Sequence, residues 1–363
     1  MRFQLLKKID WYIISKFLGT FFFVIALIVG ISLIFDISEN IDDFIENEAP
    51  LKAIIFDYYL NFIPYFANLF SGLFTFVAVI FFTSKLAFNS EIIALLSNGT
   101  SYSRLMRPYM LSALVIAVFS YTLGNFIIPP ANKQMIEFKY EYINRKSLSS
   151  DRDIHLQIEP GVYIYIERYN INDDFGRRFT IERFEDQKLV SKLTSDFIRW
   201  DREKEIWTVT NFIQRDIDGY DETISKGTRI DTTLAMSPDD FRSRKEDVEI
   251  LNLFELIDHI NLLKMRGVSA VVEYEIERHR RTAMPFSSFI LTIIGVALAS
   301  RKVKGGIGLH LGFGLLLSFS YIMFQQITKT FALSGSISPL FSMWLPNILY
   351  AIIALFLYKW ASR

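Results

Sequence analysis

The residue types that most often do chemistry are few in this chain and far apart. None of its 363 residues is cysteine, which removes disulfides, thiol nucleophiles, thiolate zinc sites and iron–sulfur clusters together. The four histidines, His155, His259, His279 and His310, show no metal-ligand spacing. There is no HExxH pair and no serine elbow. A phosphate-cradling loop needs glycines followed by Gly-Lys-Ser/Thr. The nearest run, residues 305–314 (GGIGLHLGFG), lacks the Lys-Ser/Thr, follows no expected strand and leads straight into an apolar stretch. Gly308 and Gly312 within it have the spacing of close helix packing. An intramembrane protease needs ionisable groups deep inside apolar spans, and the spans here hold almost none. The chain is therefore expected to be non-catalytic, with no metal or cofactor of its own.

Two polar constellations remain. Residues 90–108 (SEIIALLSNGTSYSRLMRP) are too polar to span a membrane and too patterned for a plain linker. Ile92, Ile93, Leu95 and Leu96 make an apolar ridge on a short helix that Glu91 opens and Asn98-Gly99 closes. Such a helix either lies on a membrane surface or docks into a groove of a cytoplasmic ATPase. The second constellation is Arg278, Arg280 and Arg281, with Glu273, Glu275 and Glu277 at helical ion-pair spacings.

The elements that position these groups follow from hydropathy. Half the composition is hydrophobic (51%), with 34 Phe and 17 Tyr, yet 39 basic residues face 39 acidic ones. Such an average hides two materials, and its zero net charge excludes the basic excess of a nucleic-acid binder. A span needs about 20 apolar residues. Six stretches qualify: residues 17–35, 54–83 (bending at Pro64 and Gly72), 109–128 (closed by Pro129-Pro130), 284–299, 307–327 and 340–358. The fourth is short, so its helix is expected to begin in the charged stretch before it. The first is too long for a signal-peptide core and is expected to stay.

Lys and Arg near the span ends fix orientation. Arg2, Lys7, Lys8 and Lys16 flank the first span; Lys85, Arg104 and Arg107 lie between the second and third. Arg301, Lys302 and Lys304 follow the fourth, and Lys359 and Arg363 close the chain. The alternate loops hold Lys52 and Lys329 beside Asp36, Glu39, Asp42, Asp43, Glu46 and Glu48. Both termini are thus expected in the cytoplasm of a bacterial inner-membrane protein, and the central segment outside. The three arginines before the fourth span run against this pattern.

Between about residues 153 and 240 the apolar period falls to two. Val162, Ile164 and Ile166 alternate with Tyr163, Tyr165 and Glu167; Phe179 and Ile181 alternate with Arg178, Thr180 and Glu182. Segments 193–200 and 206–213 continue the theme, with polar breaks at 170–174, 185–187, 201–205 and 216–219. Short strands at this spacing imply a sandwich or an open, jelly-roll-like barrel. An amphipathic helix, 251–265, follows; Gly267 stops it and Ser269 caps the next. The expected fold is a six-span α-helical membrane protein with an inserted all-β periplasmic domain. Residues 1–130 carry spans one to three with a coupling helix near 88–105, 131–249 the strand domain, and 250–363 the linker helix and last three spans.

The 90–108 segment also resembles the coupling loop of lipopolysaccharide-export permeases of the LptF/LptG family: Ser-Glu, an apolar turn, then Gly and a hydroxyl residue, matched by Ser90, Glu91, Gly99 and Ser101. Residues 195–211 (SDFIRWDREKEIWTVTN) resemble that family's strand–turn–Trp strand, and 273–285 and Trp344-Leu345-Pro346-Asn347 extend the likeness in chain order. The resemblance implies one half of a heterodimeric ABC-exporter core. A sister permease completes it, a separate dimeric ATPase supplies ATP/Mg hydrolysis through Ser90, Glu91, Ile92, Leu95, Gly99 and Ser101, and lipopolysaccharide is the cargo. Single-span and periplasmic jelly-roll bridge proteins would receive it.

Within that picture Ile164, Ile166, Phe179, Ile181, Ile198 and Trp207 either line an apolar slide for acyl chains or form ordinary core. The family holds lipid phosphates with positive charge at the outer end of span one; here that flank is acidic. Arg278, Arg280 and Arg281 are expected to supply the charge instead, with divalent cations bridging at the acidic flank, or else to pair with Glu273 and Glu277. Rival readings are a permease for another envelope lipid or lipoprotein, and a membrane scaffold or receptor with an outer sensing domain.

Overall fold

The computed structural model describes residues 7–143, 151–170, 173–241, 247–267, 270–301 and 306–362. Arg2, Ser269, Lys302, Lys304 and Arg363, invoked above, lie outside them, as does the side chain of His310. The chain forms two compact units, one of Met1–Ile143, Glu249–Leu253 and Glu275–Arg363, the other of Asn144–Val248 and Phe254–Tyr274.

The first unit is helical: α1 (Lys8–Glu46), α2 (Leu51–Ala53), α3 (Leu60–Leu69), α4 (Ser71–Phe88), α5 (Glu91–Ser97), α6 (Tyr102–Thr122) and α7 (Ile128–Tyr142). Among the described residues, six helices of the whole chain are long and apolar enough to cross a membrane. Several outrun their hydropathy. The first continues to Glu46, because nothing in the acidic stretch breaks a helix until Glu48 turns left-handed (φ 52°) ahead of Pro50. The third does not stop at Pro129-Pro130. A wide π turn (Leu123–Ile127) precedes them, and the prolines take the first positions of α7, where their missing N–H groups are least needed. The second breaks at Phe70, between α3, which contains Pro64, and α4, which contains Gly72.

The strand unit holds β1 (Asp151–Glu159), β2 (Val162–Asn170), β3 (Phe175–Glu185), β4 (Lys188–Asp201), β5 (Ile206–Asp218) and β6 (Asp221–Thr232). They pair in sequence order as one antiparallel sheet, not closed into a barrel. Turns fall at the polar breaks. One face buries Leu156, Ile158, Ile164, Ile166, Phe179, Ile198, Trp207 and Val209. The alternation is not uniform: Arg178 and Asn211 take positive φ (51° and 53°), and such a residue re-aims the side chains beyond it. Gly176 therefore faces inward, where a Cβ would lie 2.7 Å from Ile198 Cγ2 and 3.1 Å from Ile166 Cγ2. The returning chain covers this face: Met236 and Phe241 are buried in it, and the Trp207 indole donates to the Met236 carbonyl (3.0 Å). Helix α8 (Asp247–Ile250) and the amphipathic α9 (Leu253–Arg266) follow, and Gly267 ends α9 at φ 66°.

The last three spans are α10 (Val271–Ala299), α11 (Gly306–Leu333) and α12 (Pro339–Ala361). As expected, α10 begins in the charged stretch. At the centre of the helical unit, α4 presses Phe76, Val79 and Ile80 against α10 and α11. A Cβ on Gly295 would meet Val79 Cγ1 at 2.3 Å, and one on Gly314 would meet Ile80 Cδ1 at 2.3 Å. The close approach expected at Gly308 and Gly312 is not made among the described residues, where neither has a neighbour within 4 Å. Polar ties join spans across the apolar core: Thr83 Oγ1 to Tyr109 Oη (3.1 Å), Tyr321 Oη to Asn347 Oδ1 (2.8 Å), and Asn347 Nδ2 to the Ala283 carbonyl (2.7 Å).

Replacing Trp207 with alanine should cost the strand unit about 3–5 kcal/mol, read as faster hydrogen–deuterium exchange of β4 and β5 amides in the intact chain. The same substitution at the fully exposed Tyr220 should leave that exchange unchanged.

Candidate functional site

Chemistry gathers at the two ends of the helical unit. One end holds the start of α1, the end of α12 and all of α5. There the rings of Tyr102 and Tyr358 lie 5.5 Å apart, and Arg301 donates to the Trp360 carbonyl (2.7 Å) while stacking over its indole. Helix α5 is sharply bracketed. Ser90 enters it left-handed (φ 62°) and Gly99 leaves it at φ 80°. The Ser101 hydroxyl then caps α6 by accepting from the Arg104 amide (3.3 Å).

This bracket splits the apolar ridge. Ile92 is wholly buried and Leu95 packs against the same core, whereas Ile93 and Leu96 are exposed. The Glu91 carboxylate accepts from Asn89 Nδ2 (3.3 Å) and Tyr12 Oη (3.4 Å). A cleft of about 240 Å³ separates α5 from the foot of α1, lined by Ile9, Tyr12, Ile13, Leu86, Glu91 and Leu95, among others. Beside it, Arg104 grips Asp10 with both guanidinium ends (2.7 and 2.6 Å), and the Lys7 amide donates to the same carboxylate (2.7 Å).

The opposite end holds the second constellation. Glu277 is the carboxylate that takes the arginines. Arg280 donates to it from Nε (2.7 Å) and Nη2 (3.0 Å), and Arg281 from Nε (2.7 Å). Arg281 also donates to the Leu251 carbonyl (2.7 Å), and its side chain is 4% exposed, so it packs inward and faces no open space. Arg280 is 22% exposed and opens onto a cavity. Arg278 is half-buried, its Nη2 3.5 Å from His279 Nε2.

That cavity, about 370 Å³, is walled by Tyr65, Glu249, Glu277, Arg280, Gln325, Gln326 and Lys329, with Leu73, Leu291 and Ile322 among its apolar lining. Burial pushes the Glu249 carboxyl up from its ordinary range, partly offset by the Arg280 charge; Asn132 Nδ2 lies 3.4 Å from it. Lys329 is exposed and makes no ion pair among the described residues. Sequence reading passed over Glu249 and Tyr65 and used Lys329 for orientation alone; the three are far apart in the chain and converge only in the fold.

At the acidic end of α1, Asp36 Oδ1 accepts from Tyr58 Oη (3.2 Å). No group of three or more His, Asp or Glu among the described residues is placed to hold a metal ion. In the strand unit, Ile164, Ile166, Phe179, Ile198 and Trp207 form one buried cluster with Ile181 packed at its edge.

The family model for the lipopolysaccharide export system permease LptF/LptG matches residues 11–360. The lipopolysaccharide export system permease protein LptG of Escherichia coli K12 is 19% identical over 274 residues, covering 75% of this chain and 76% of that protein. LptG of Escherichia coli O6:H1 matches to the same extent. The family match takes in all six spans, the α5 bracket and the strand unit, and the chain belongs to the LptF/LptG family of lipopolysaccharide export system permeases.

Proposed function

We propose that this chain is one subunit of a heterodimeric permease that lifts lipopolysaccharide from the outer leaflet of the inner membrane, driven by a separate cytoplasmic ATPase docked on α5. The α5 bracket carries this reading. A seven-residue helix is held between two left-handed residues at the end that α1 and α12 share. It turns Ile93 and Leu96 outward beside a carboxylate, a face suited to a protein groove. Ile92 and Leu95 root the helix in the core, so a push on its outer face reaches the spans. Ser90 and Gly99 set its ends, and Ser101 starts the span that follows.

An external energy source is required on physical grounds. At about 0.8 kcal/mol per buried CH₂, withdrawing several acyl chains costs tens of kcal/mol. Lys and Arg flank the α5 end, which supports a cytoplasmic position for both termini and a periplasmic one for the sheet. At the opposite end, Arg280 with Lys329 and Arg278 would face lipid phosphates, while Arg281 holds Glu277 and the chain at Leu251. The apolar face of the sheet would take the acyl chains and hand them to bridge proteins of similar fold. Met236 and Phe241 occupy that face in this conformation, so passage requires that segment to move aside.

Three outcomes follow. Glu91→Lys should abolish co-purification of the ATPase with the intact chain; undiminished association would remove the transporter reading. Lys329→Gln with Arg280→Gln should lower photocrosslinking of lipopolysaccharide to a probe at Gln326 by about tenfold, as for loss of charge-assisted bonds to a phosphate, with Arg278→Gln giving a smaller loss. Glu249 sets a pH dependence. Its raised value means that its contribution to stability is full below the ordinary 4.5 and is lost as pH rises through the raised value. Glu249→Gln should therefore flatten the fall in melting temperature across that window.

A further inference from the structure

The foot of α1 and the α5–α6 connection are joined by a contact that no element of the fold requires. Asp10 lies in the first turn of α1 with its side chain 2% exposed, and Arg104 in the first turn of α6. Both carboxylate oxygens are engaged by the two ends of the guanidinium, and the Lys7 amide binds one of them as well. A two-pronged arginine–carboxylate pair fixes orientation as well as distance. Asp10 is withdrawn from water while Arg104 stays a quarter exposed (26%); such a pair adds little net stability, and its best-attested use is to set register.

The surroundings give that register a purpose. Between α1 and α5 lies the 240 Å³ cleft, so the two helices meet only at its inner end, where Ile13 and Ile92 share the core. The contacts that cross there are polar: Tyr12 to Glu91 at 3.4 Å, and the Asp10–Arg104 pair beside it. One face of α1 joins the core through Ile13, Phe17 and Phe21, and the other is apolar and open. Phe22, Phe23, Leu27, Ile31, Ile34 and Phe35 are exposed within this chain, so that face is not held by this chain's own packing.

We propose that the Asp10–Arg104 pair is a clasp that makes the foot of α1 move with the α5–α6 connection, delivering displacement of α5 to the first span. Asp10 and Arg104 are positioning residues: neither contacts the ATPase or the cargo in this scheme. The inference rests on the reading of α5 as an ATPase-docking helix.

The test uses the full complex of this chain, its sister subunit and the ATPase in proteoliposomes, measuring lipopolysaccharide released per ATP hydrolysed. Arg104→Gln and Asp10→Asn should each lower that ratio about tenfold while hydrolysis stays within about twofold, the scale on which one contact sets coupling between sites. Arg104→Lys, which keeps the charge and loses the fork, should fall between, and Asp10→Arg with Arg104→Asp should restore part of the ratio. A second readout does not depend on transport. Because this chain has no cysteine, spin labels at Lys8→Cys and Ser97→Cys report the spacing between the α1 foot and α5. That spacing should stay narrow with and without ATP in the parent chain and broaden in Arg104→Gln. An unchanged release ratio and spacing in the single variants would overturn the clasp, as would a parallel fall of hydrolysis and release. Absence of the ATPase from the parent complex would instead strike the α5 reading.

Discussion

A hydrocarbon slab tolerates no backbone or side-chain polar group without a partner, and it tolerates charge least of all. That constraint arranges this molecule. The cores of the six spans carry phenylalanine, leucine and isoleucine, and some of their polar groups form span-to-span ties such as Tyr321–Asn347 and Thr83–Tyr109. Ionisable groups are driven to the two ends of the helical unit. One end gathers Asp10, Glu91, Arg104 and Arg301; the other gathers Glu249, Glu277, Arg280 and Lys329. The proposed coupling of a cytoplasmic motor to a lipid headgroup uses such a division.

Force must then cross the apolar interior through rigid bodies. Close packing supplies the rigidity: α4 meets α10 and α11 where Gly295 and Gly314 leave no room for a Cβ, so these three helices move together or not at all. By contrast α1 presents a long exposed apolar face. In the proposed scheme the Asp10–Arg104 pair ties the foot of α1 to the start of α6. At the far end, Glu277 binds Arg281, which in turn holds the Leu251 carbonyl. The re-entering chain is thereby fixed to the same block that lines the cavity.

Much of this was legible in the residues. Apolar length found six spans, alternation found the inner four strands, and an apolar ridge opened by Glu91 and closed by Asn98-Gly99 found α5. What escaped has physical reasons. The ends of α1 and the third span were missed because helix continues where nothing breaks it, and a π turn made Pro129-Pro130 acceptable. Strand β6 was missed because it is exposed almost throughout and carries little alternation. The αL residues Arg178 and Asn211 shift which positions face inward, a change no period can report. The arginine trio was found as a group, but its division of labour, Arg281 inward and Arg280 to the cavity, depends on Glu249 and Leu251 arriving from elsewhere in the chain.

The central claim is that energy applied at α5 withdraws lipopolysaccharide at the opposite end. The most direct measurement is extraction of labelled lipopolysaccharide from proteoliposomes holding this chain, its sister subunit and the ATPase, with phospholipid labelled in parallel. The account predicts lipopolysaccharide release that requires ATP hydrolysis and leaves phospholipid behind. Release without ATP, or equal release of both lipids, would contradict it.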